Sequence, residues 1–312
     1  MRLSIVIPCY RSEDSIPELA DRLVSSLGAL VADKTLRDYE VIFVVDGSPD
    51  GAAEVARGIA TSSRKVQVIE LIRNFGQHNA LVAGIRAASF ETIVTMDDDL
   101  QHPPEEIHKL VQKLQDSGSD LVYAQPEIEE HGILRSAASR FVKASLALAG
   151  VPNASYVGAF RAFRTELRDG FANVADPQVN LDVLLSWVTT RVGSVTVRMD
   201  RRATGRSTYN LRALVRHTLN MVTGYGVVPL KLATWLGFAC GILGLVLLAV
   251  VLIQFFVGVT TVPGFTTTIA VISLFAGAQM ITIGIIGEYL GRQHFRSMQR
   301  PMYVIRHDSA KD

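Results

Sequence analysis

Three consecutive carboxylates, Asp97, Asp98 and Asp99, follow an apolar run in the segment TMDDDLQHPPEE, from Thr95 to Glu106. Adjacent acids repel one another unless something cationic sits among them. Asp97 and Asp99 are two residues apart, so in an extended backbone they point to one side and can share a hard cation. Mg2+ or Mn2+ prefers such oxygen ligands and commonly binds substrate phosphates as well. An acidic helix start that merely complements the helix dipole explains one carboxylate and leaves two over. Pro103 and Pro104 open a helix just beyond, where a missing N–H costs little.

Two further polar segments carry weaker signals. In VVDGSPDG (Val44 to Gly51), Asp46 stands at the end of an apolar run, before a Gly47–Ser48 turn. Exposed N–H groups and a carboxylate there suit a nucleobase or ribose, although Asp-Gly-Ser is also ordinary turn chemistry. In PCYRSED (Pro8 to Asp14), Tyr10 offers a stacking surface and Glu13 an acceptor. Ser12, Glu13 and Asp14 equally suit the cap of a following helix.

The elements that must position these residues alternate between strand and helix. Strand-like runs cover Leu3–Tyr10, Tyr39–Asp46, Val66–Leu71, Thr92–Asp97, Asp120–Gln125, Gly158–Arg164 and Ser194–Met199. The first five are continuously apolar, as expected of parallel strands covered on both faces. Helical patterns at Ile16–Leu30, Gly51–Thr61, Gln77–Ala88 and Glu105–Gln115 lie between them. Repeated βα units predict an α/β fold with a doubly wound, mostly parallel sheet and a site at the carboxyl ends of its strands.

The chain then changes character. From Leu232 to Gly287 it has no Asp, Glu, Lys, Arg or His. One membrane span needs roughly 20 apolar residues, so this stretch accommodates two, Leu232–Val257 and Thr266–Gly287, joined at TVPG (Thr261 to Gly264). Basic residues flank the pair (Arg212, Arg216 and Lys231 before; Arg292, Arg296, Arg300 and Arg306 after), and the joining loop has none. The positive-inside rule then puts the N-terminal domain and both termini in the cytoplasm, at the inner membrane. Residues 210–225 mix apolar and basic positions, as in a helix lying in the membrane interface. The predicted organisation is a catalytic domain over 1–209, an interfacial helix over 210–227, two spans over 228–290 and a tail over 291–312. A net charge of +1 gives no field for nucleic acid, and Cys9 and Cys240 alone make no disulfide framework or zinc site. The N-terminus enters SIVIPCY with no cleavable signal pattern.

The ordered set SIVIPCY, VVDGSPD, RNFGQHNA and MDDDLQHPPEE resembles the family 2 glycosyltransferases, and within them the polyprenyl-phosphate branch. The resemblance continues through GAFRAFR, RRATGRSTY, GEYLGR and RPMYVI, and so covers nearly the whole chain. It implies a GT-A-like fold and inverting transfer of a sugar from a nucleotide-sugar to a polyprenyl phosphate, with the acceptor's tail in the lipid bilayer. It implies that Pro8, Tyr10, Glu13, Asp46, Arg73, Asp98 and Gln101 bind the donor, and that Asp97 and Asp99 hold Mg2+ or Mn2+ and the diphosphate. Arg161, Arg202 and Ser207 would receive phosphate oxygens, work that suits the planar fork of guanidinium. Asp97, Asp99, Arg161 and Arg202 form the expected catalytic set. A phosphate nucleophile is already anionic at neutral pH and needs little help from a base.

Departures from the family pattern bear on acceptor contacts and sugar identity more than on reaction class. Val45 replaces the first of a paired Asp-Asp, Ser155 and Tyr156 stand where an acidic residue is common, and Thr208 replaces Lys. The segment PEIEEH (Pro126 to His131) is acidic where basic residues are expected. A processive polysaccharide synthase would need more spans and a Gln-x-x-Arg-Trp motif; a non-catalytic scaffold would not need the carboxylates. RPMYVI reads as a strand, either added to a neighbour's sheet in a homo-oligomer up to a tetramer, or folded back on its own domain.

Overall fold

The computed structural model describes residues 1–127, 146–147, 151, 154–200, 228–257 and 265–311. They fall into two units: the N-terminal domain with the tail from Gln299 onward, and the two long helices. Arg202, Ser207, the expected interfacial helix, the TVPG turn and most of PEIEEH lie outside the described residues.

The first unit is built on a sheet of eight strands: β1 (Arg2–Cys9), β2 (Asp38–Val45), β3 (Val66–Leu71), β4 (Thr92–Thr95), β5 (Leu121–Pro126), β6 (Arg161–Arg164), β7 (Val192–Val197) and β8 (Ile305–Asp308). Its order is β7-β5-β6-β4-β1-β2-β3-β8. β3, β2, β1 and β4 run parallel, as do β5 and β7, while β6 and β8 run antiparallel to their neighbours. The expected mostly parallel sheet is present, with β6 reversed inside it.

Helices α1 (Ile16–Ala32), α2 (Ala52–Ser62) and α4 (Ile107–Asp116) cover one face, where Leu19, Leu23 and Leu27 of α1 meet Ile5, Phe43 and Val94. Helices α3 (Gln77–Ala87) and α5 (Leu181–Val188) cover the other, with Val6, Val44, Ile69 and Leu184 in that layer. Burial on both faces is why the strands read as continuous apolar runs rather than alternations. α4 begins two residues later than the sequence pattern suggests, because Pro104–Glu106 forms a 3-10 turn first. The sequence reading missed α5. Asn180 caps it by accepting from the amides of Asp182 and Val183, and an Asn before an apolar run is a legible start signal.

Pro8, an expected donor residue, is buried inside β1 opposite Val44. β1 has by then outrun β4, whose pairing stops at Val6–Thr95, so the N–H that proline lacks has no partner to serve.

The tail strand resolves the two readings of RPMYVI. β8 begins only at Ile305 and pairs antiparallel with β3 of its own domain, so the tail folds back and β8 becomes the last strand of the sheet.

The second unit contains α6 (Val228–Phe256) and α7 (Phe265–Ser297). Both are long and apolar enough to cross a membrane, over Pro229–Val250 and Leu274–His294. Large apolar side chains such as Trp235, Phe238, Leu245 and Met280 are exposed along them, which suits a lipid environment. The two helices touch where Gly244 faces the ring of Phe275, and a Cβ at Gly244 would come within 3.1 Å of that ring.

Candidate active site

β1, β2, β3 and β4 all end on the same edge of the sheet, and the segments carrying Tyr10, Asp46, Arg73 and Asp97 leave from that edge. Four backbone positions just beyond those ends have positive φ: Arg11, Gly47, Gly76 and Leu100. For Arg11 and Leu100 this is a strained conformation, of the kind that concentrates at functional sites. Gly47 has no substitute: a Cβ there would lie 2.2 Å from the carbonyl carbon of Arg73.

The carboxylate segment is not extended. β4 ends at Thr95 and the chain bends over Asp98–Leu100, so strand alternation does not place Asp97 beside Asp99. Each acid meets its own partner. Asp97 Oδ1 accepts from Gln77 Nε2 at 2.6 Å, and its backbone amide donates to His102 Nδ1 at 3.1 Å. Asp98 Oδ2 accepts from the Tyr10 amide at 3.2 Å, and Asp99 Oδ1 accepts from the Gln101 amide at 3.2 Å. Burial, helped by the charge of Asp97, raises the Asp98 carboxyl to about 6 against the pull of Ser12 and the Tyr10 amide.

Asp46 is 2% exposed, and its two oxygens accept from the amides of Phe75 and Gly76, both at 2.7 Å. It therefore clamps the loop between β3 and α3. Burial raises its pKa, more than those two amides and Arg73 lower it. Arg73, on that loop, is exposed, with its guanidinium 4.2 Å from the centre of the Phe75 ring. Glu13 caps α2 rather than α1: its Oε2 accepts from the Gly51 amide at 2.9 Å. Tyr10 stays 43% exposed beside the guanidinium of Arg11, which leaves a ring face of the kind a base can stack on. Gln101 lies next to β7's exit, where its carbonyl accepts from the Asp200 amide.

Arg161, for which the resemblance implies a phosphate-receiving role, faces inward. It is 2% exposed, at the first position of β6, opposite Thr95. Its guanidinium is paired with Asp182 and donates to Thr95 Oγ1 at 3.0 Å. Asp182 also accepts from Tyr123 Oη at 2.7 Å. Burial opposes the charge of Arg161, but Asp182, Tyr123 and Asp97 outweigh it and raise its pKa above the ordinary value. A guanidinium held this way is committed to Asp182 and Thr95 inside the fold. The same desolvation holds the His102 imidazole down at about 4, despite the opposing charge of Asp99 and with the help of Arg161. Neutral His102 can then accept the Asp97 amide while its ring packs 5.2 Å from Phe160.

Gln77, His102, Tyr123 and Asp182 are site residues that the sequence reading passed over or left aside. Only His102, three residues beyond Asp99, lay within sight of the motif. The others reach the site from different elements.

Among the described residues, no three His, Cys, Asp or Glu side chains gather into a ready metal cage. Asp97 and Asp99 supply two hard oxygen donors, which fits a Mg2+-like ion completed by substrate phosphates and water. The donor set is therefore compatible with the expected divalent ion.

The profile of Glycosyl transferase family 2 matches residues 4–169. Undecaprenyl-phosphate 4-deoxy-4-formamido-L-arabinose transferase from Proteus mirabilis is 31% identical over 97% of this chain and 93% of its own length. The enzyme of that name from Klebsiella pneumoniae is 32% identical over 97% of this chain and 92% of its own. In fold, the first unit's architecture is shared with glucosyl-3-phosphoglycerate synthase from Mycobacterium tuberculosis. That structure, solved with Mn2+, uridine diphosphate and glucosyl-3-phosphoglycerate, has a TM-score of 0.53 at 22% identity, covering 72% of this chain and 79% of the other. The chain is thus a glycosyltransferase and belongs to glycosyl transferase family 2.

Proposed function

We propose that the protein transfers a sugar from a UDP-linked donor to a polyprenyl phosphate, undecaprenyl phosphate in particular, at the cytoplasmic face of the inner membrane. One observation carries this reading: similarity to undecaprenyl-phosphate transferases extends over 97% of the chain and so includes both apolar helices. An acceptor whose tail stays in lipid suits an enzyme that brings its own membrane spans. The proposed organisation keeps the catalytic domain at 1–209 and both termini in the cytoplasm, in line with the basic flanks.

The site supports inverting, in-line displacement by a phosphate oxygen at the anomeric carbon. Tyr10 presents its ring to the base, and Arg73, on a loop fixed by Asp46, meets the diphosphate. Asp97 and Asp99 would hold Mg2+ or Mn2+, which supplies charge neutralisation for the leaving diphosphate. Solved relatives in fold support that choice, since glucosyl-3-phosphoglycerate synthase has been solved with uridine diphosphate and either Mn2+ or Mg2+. Gln77 and the His102 ring orient Asp97, and Arg161 below steadies its charge. Preorganised groups of this kind lower the barrier because they need not reorganise during reaction. Arg202 and Ser207 complete the proposal as acceptor-phosphate residues.

The test uses purified protein in detergent, undecaprenyl phosphate, Mn2+ or Mg2+, and a panel of labelled UDP-sugars. Label should enter the organic phase with at least one donor, and should stop doing so with chelator or in Asp99→Ala. Donor binding without any lipid-linked product would overturn the acceptor assignment.

A further inference from the structure

We infer that the C-terminal tail is a positioning strap for the donor loop, with Arg306 as its contact residue. The inference rests on the donor-site reading above and adds a control on it. The loop from Ile72 to Gly76 carries Arg73 and is clamped at its far end by Asp46. Its near end is held by the tail and by nothing else that bonds to the Ile72 backbone among the contacts described. The Ile72 amide donates to the Val304 carbonyl at 3.0 Å, and the Ile72 carbonyl accepts from Arg306 Nη2 at 3.2 Å. Both backbone groups of the residue before Arg73 are thereby engaged by the same short segment.

The pairing of β8 with β3 explains how Arg306 reaches that carbonyl. Glu70 pairs with His307 and Leu71 with Ile305, so Arg306 is an extra residue at a register shift. A bulge of this type re-aims one side chain and is common beside active sites. The tail is otherwise well anchored. Met302 is 4% exposed, and Asp308 accepts from Gln67 Nε2 at 2.7 Å. The Ser309 hydroxyl accepts from the Val68 amide at 2.9 Å. These anchors hold β8 whether or not Arg306 is present, so the arginine can be removed without undocking the strand.

Covalent order adds consequence. The tail follows α7 directly, which ends at Ser297. The segment that leaves the second apolar helix is therefore the one that fixes the entry to the donor loop. Arg306 is a positioning residue: it acts on the donor through Ile72 and Arg73.

The test compares Arg306→Ala and Arg306→Lys with the parent, using the full chain in detergent. Hydrogen exchange without ligand should quicken about tenfold at residues 72–76 in Arg306→Ala, and stay unchanged in β1 and α3. Uridine diphosphate with Mn2+ should bind about threefold to tenfold more weakly, as expected for one charge-assisted hydrogen bond at an exposed site. The donor KM should rise by the same factor with kcat retained, and Arg306→Lys should recover part of the loss. In an Arg73→Ala background, Arg306→Ala should cost no further affinity. Unchanged exchange at 72–76 overturns the inference, and so does quickened exchange with unchanged nucleotide affinity. Failure of the parent itself to bind uridine diphosphate would instead overturn the donor reading, and the exchange arm would then decide the strap alone.

Discussion

Removing the charge of Asp182 tests whether the carboxylate edge stands on a buried ion pair. Arg161 and Asp182 are 2% and 6% exposed at their side chains, too little for water to screen either charge. Asp182→Asn keeps the size and an acceptor oxygen, but leaves the guanidinium with neutral neighbours: that amide, Thr95 Oγ1, the Tyr123 ring and a long contact of 3.4 Å to the Ala159 carbonyl. Breaking a buried pair from one side costs about 3–5 kcal/mol, because the remaining charge is uncompensated. Against a total stability of about 5–15 kcal/mol, that is a large fraction. Replacing all members by apolar groups of similar volume, as in Tyr123→Phe/Arg161→Met/Asp182→Leu, removes the uncompensated charge. It should recover more than half of the loss. Activity should not follow stability: the triple variant lacks the positive field behind Asp97 and should stay at least tenfold below the parent, one such step being about 1.4 kcal/mol. Denaturant unfolding followed by tryptophan fluorescence, beside transfer assays, measures both quantities. A loss below about 1 kcal/mol in Asp182→Asn, or a triple variant no more stable than the single one, would refute the reasoning.

Two other perturbations have firm expectations. Gly47→Ala places a Cβ 2.2 Å from the Arg73 backbone at a φ of +55°, so the loop must move. Donor affinity should then fall at least tenfold, alongside a stability loss of about 2 kcal/mol seen in thermal melts. Asp120, 6% exposed, is opposed by burial, but Arg191 and Thr189 outweigh this and hold its pKa below the ordinary carboxylate value. A depressed carboxyl stabilises the fold above its unfolded pKa and loses that contribution as pH falls through the folded one. Asp120→Asn should therefore cost about 2 kcal/mol at neutral pH and progressively less below about pH 4, in unfolding curves across pH. A cost independent of pH would contradict this.

Much of the frame was legible before any coordinates. Strand limits at Val66–Leu71 match residue for residue, and most other elements fall within two residues of expectation, because apolar runs and helical periods are local properties. The two long helices overrun their expected spans, starting at Val228 rather than Leu232 and ending at Ser297 rather than Gly287, and β6 falls short of its own. GAFRAFR reads as a seven-residue strand, yet only Arg161–Arg164 pairs with β4, which is itself four residues long. Asp97 and Asp99 were visible for a similar reason, as charges interrupting an apolar strand end. The extended backbone assumed between them is replaced by a bend at Asp98–Leu100, a conformational outcome that composition does not announce.

By itself, the sequence determined the alternation of the first unit, the two apolar helices after it and the acidic motif at one strand end. Each of these follows from side-chain chemistry over a window of a few residues. Tertiary structure alone decided what each polar group faces. Asp46 turned inward to two amides, Arg161 sank onto Asp182, Gln77 reached across to Asp97, and the tail strand came home to β3. Those partners are 20 or more residues apart along the chain and meet only because the sheet sets its strand ends side by side. A buried charge or amide must then find whatever partner the packing supplies.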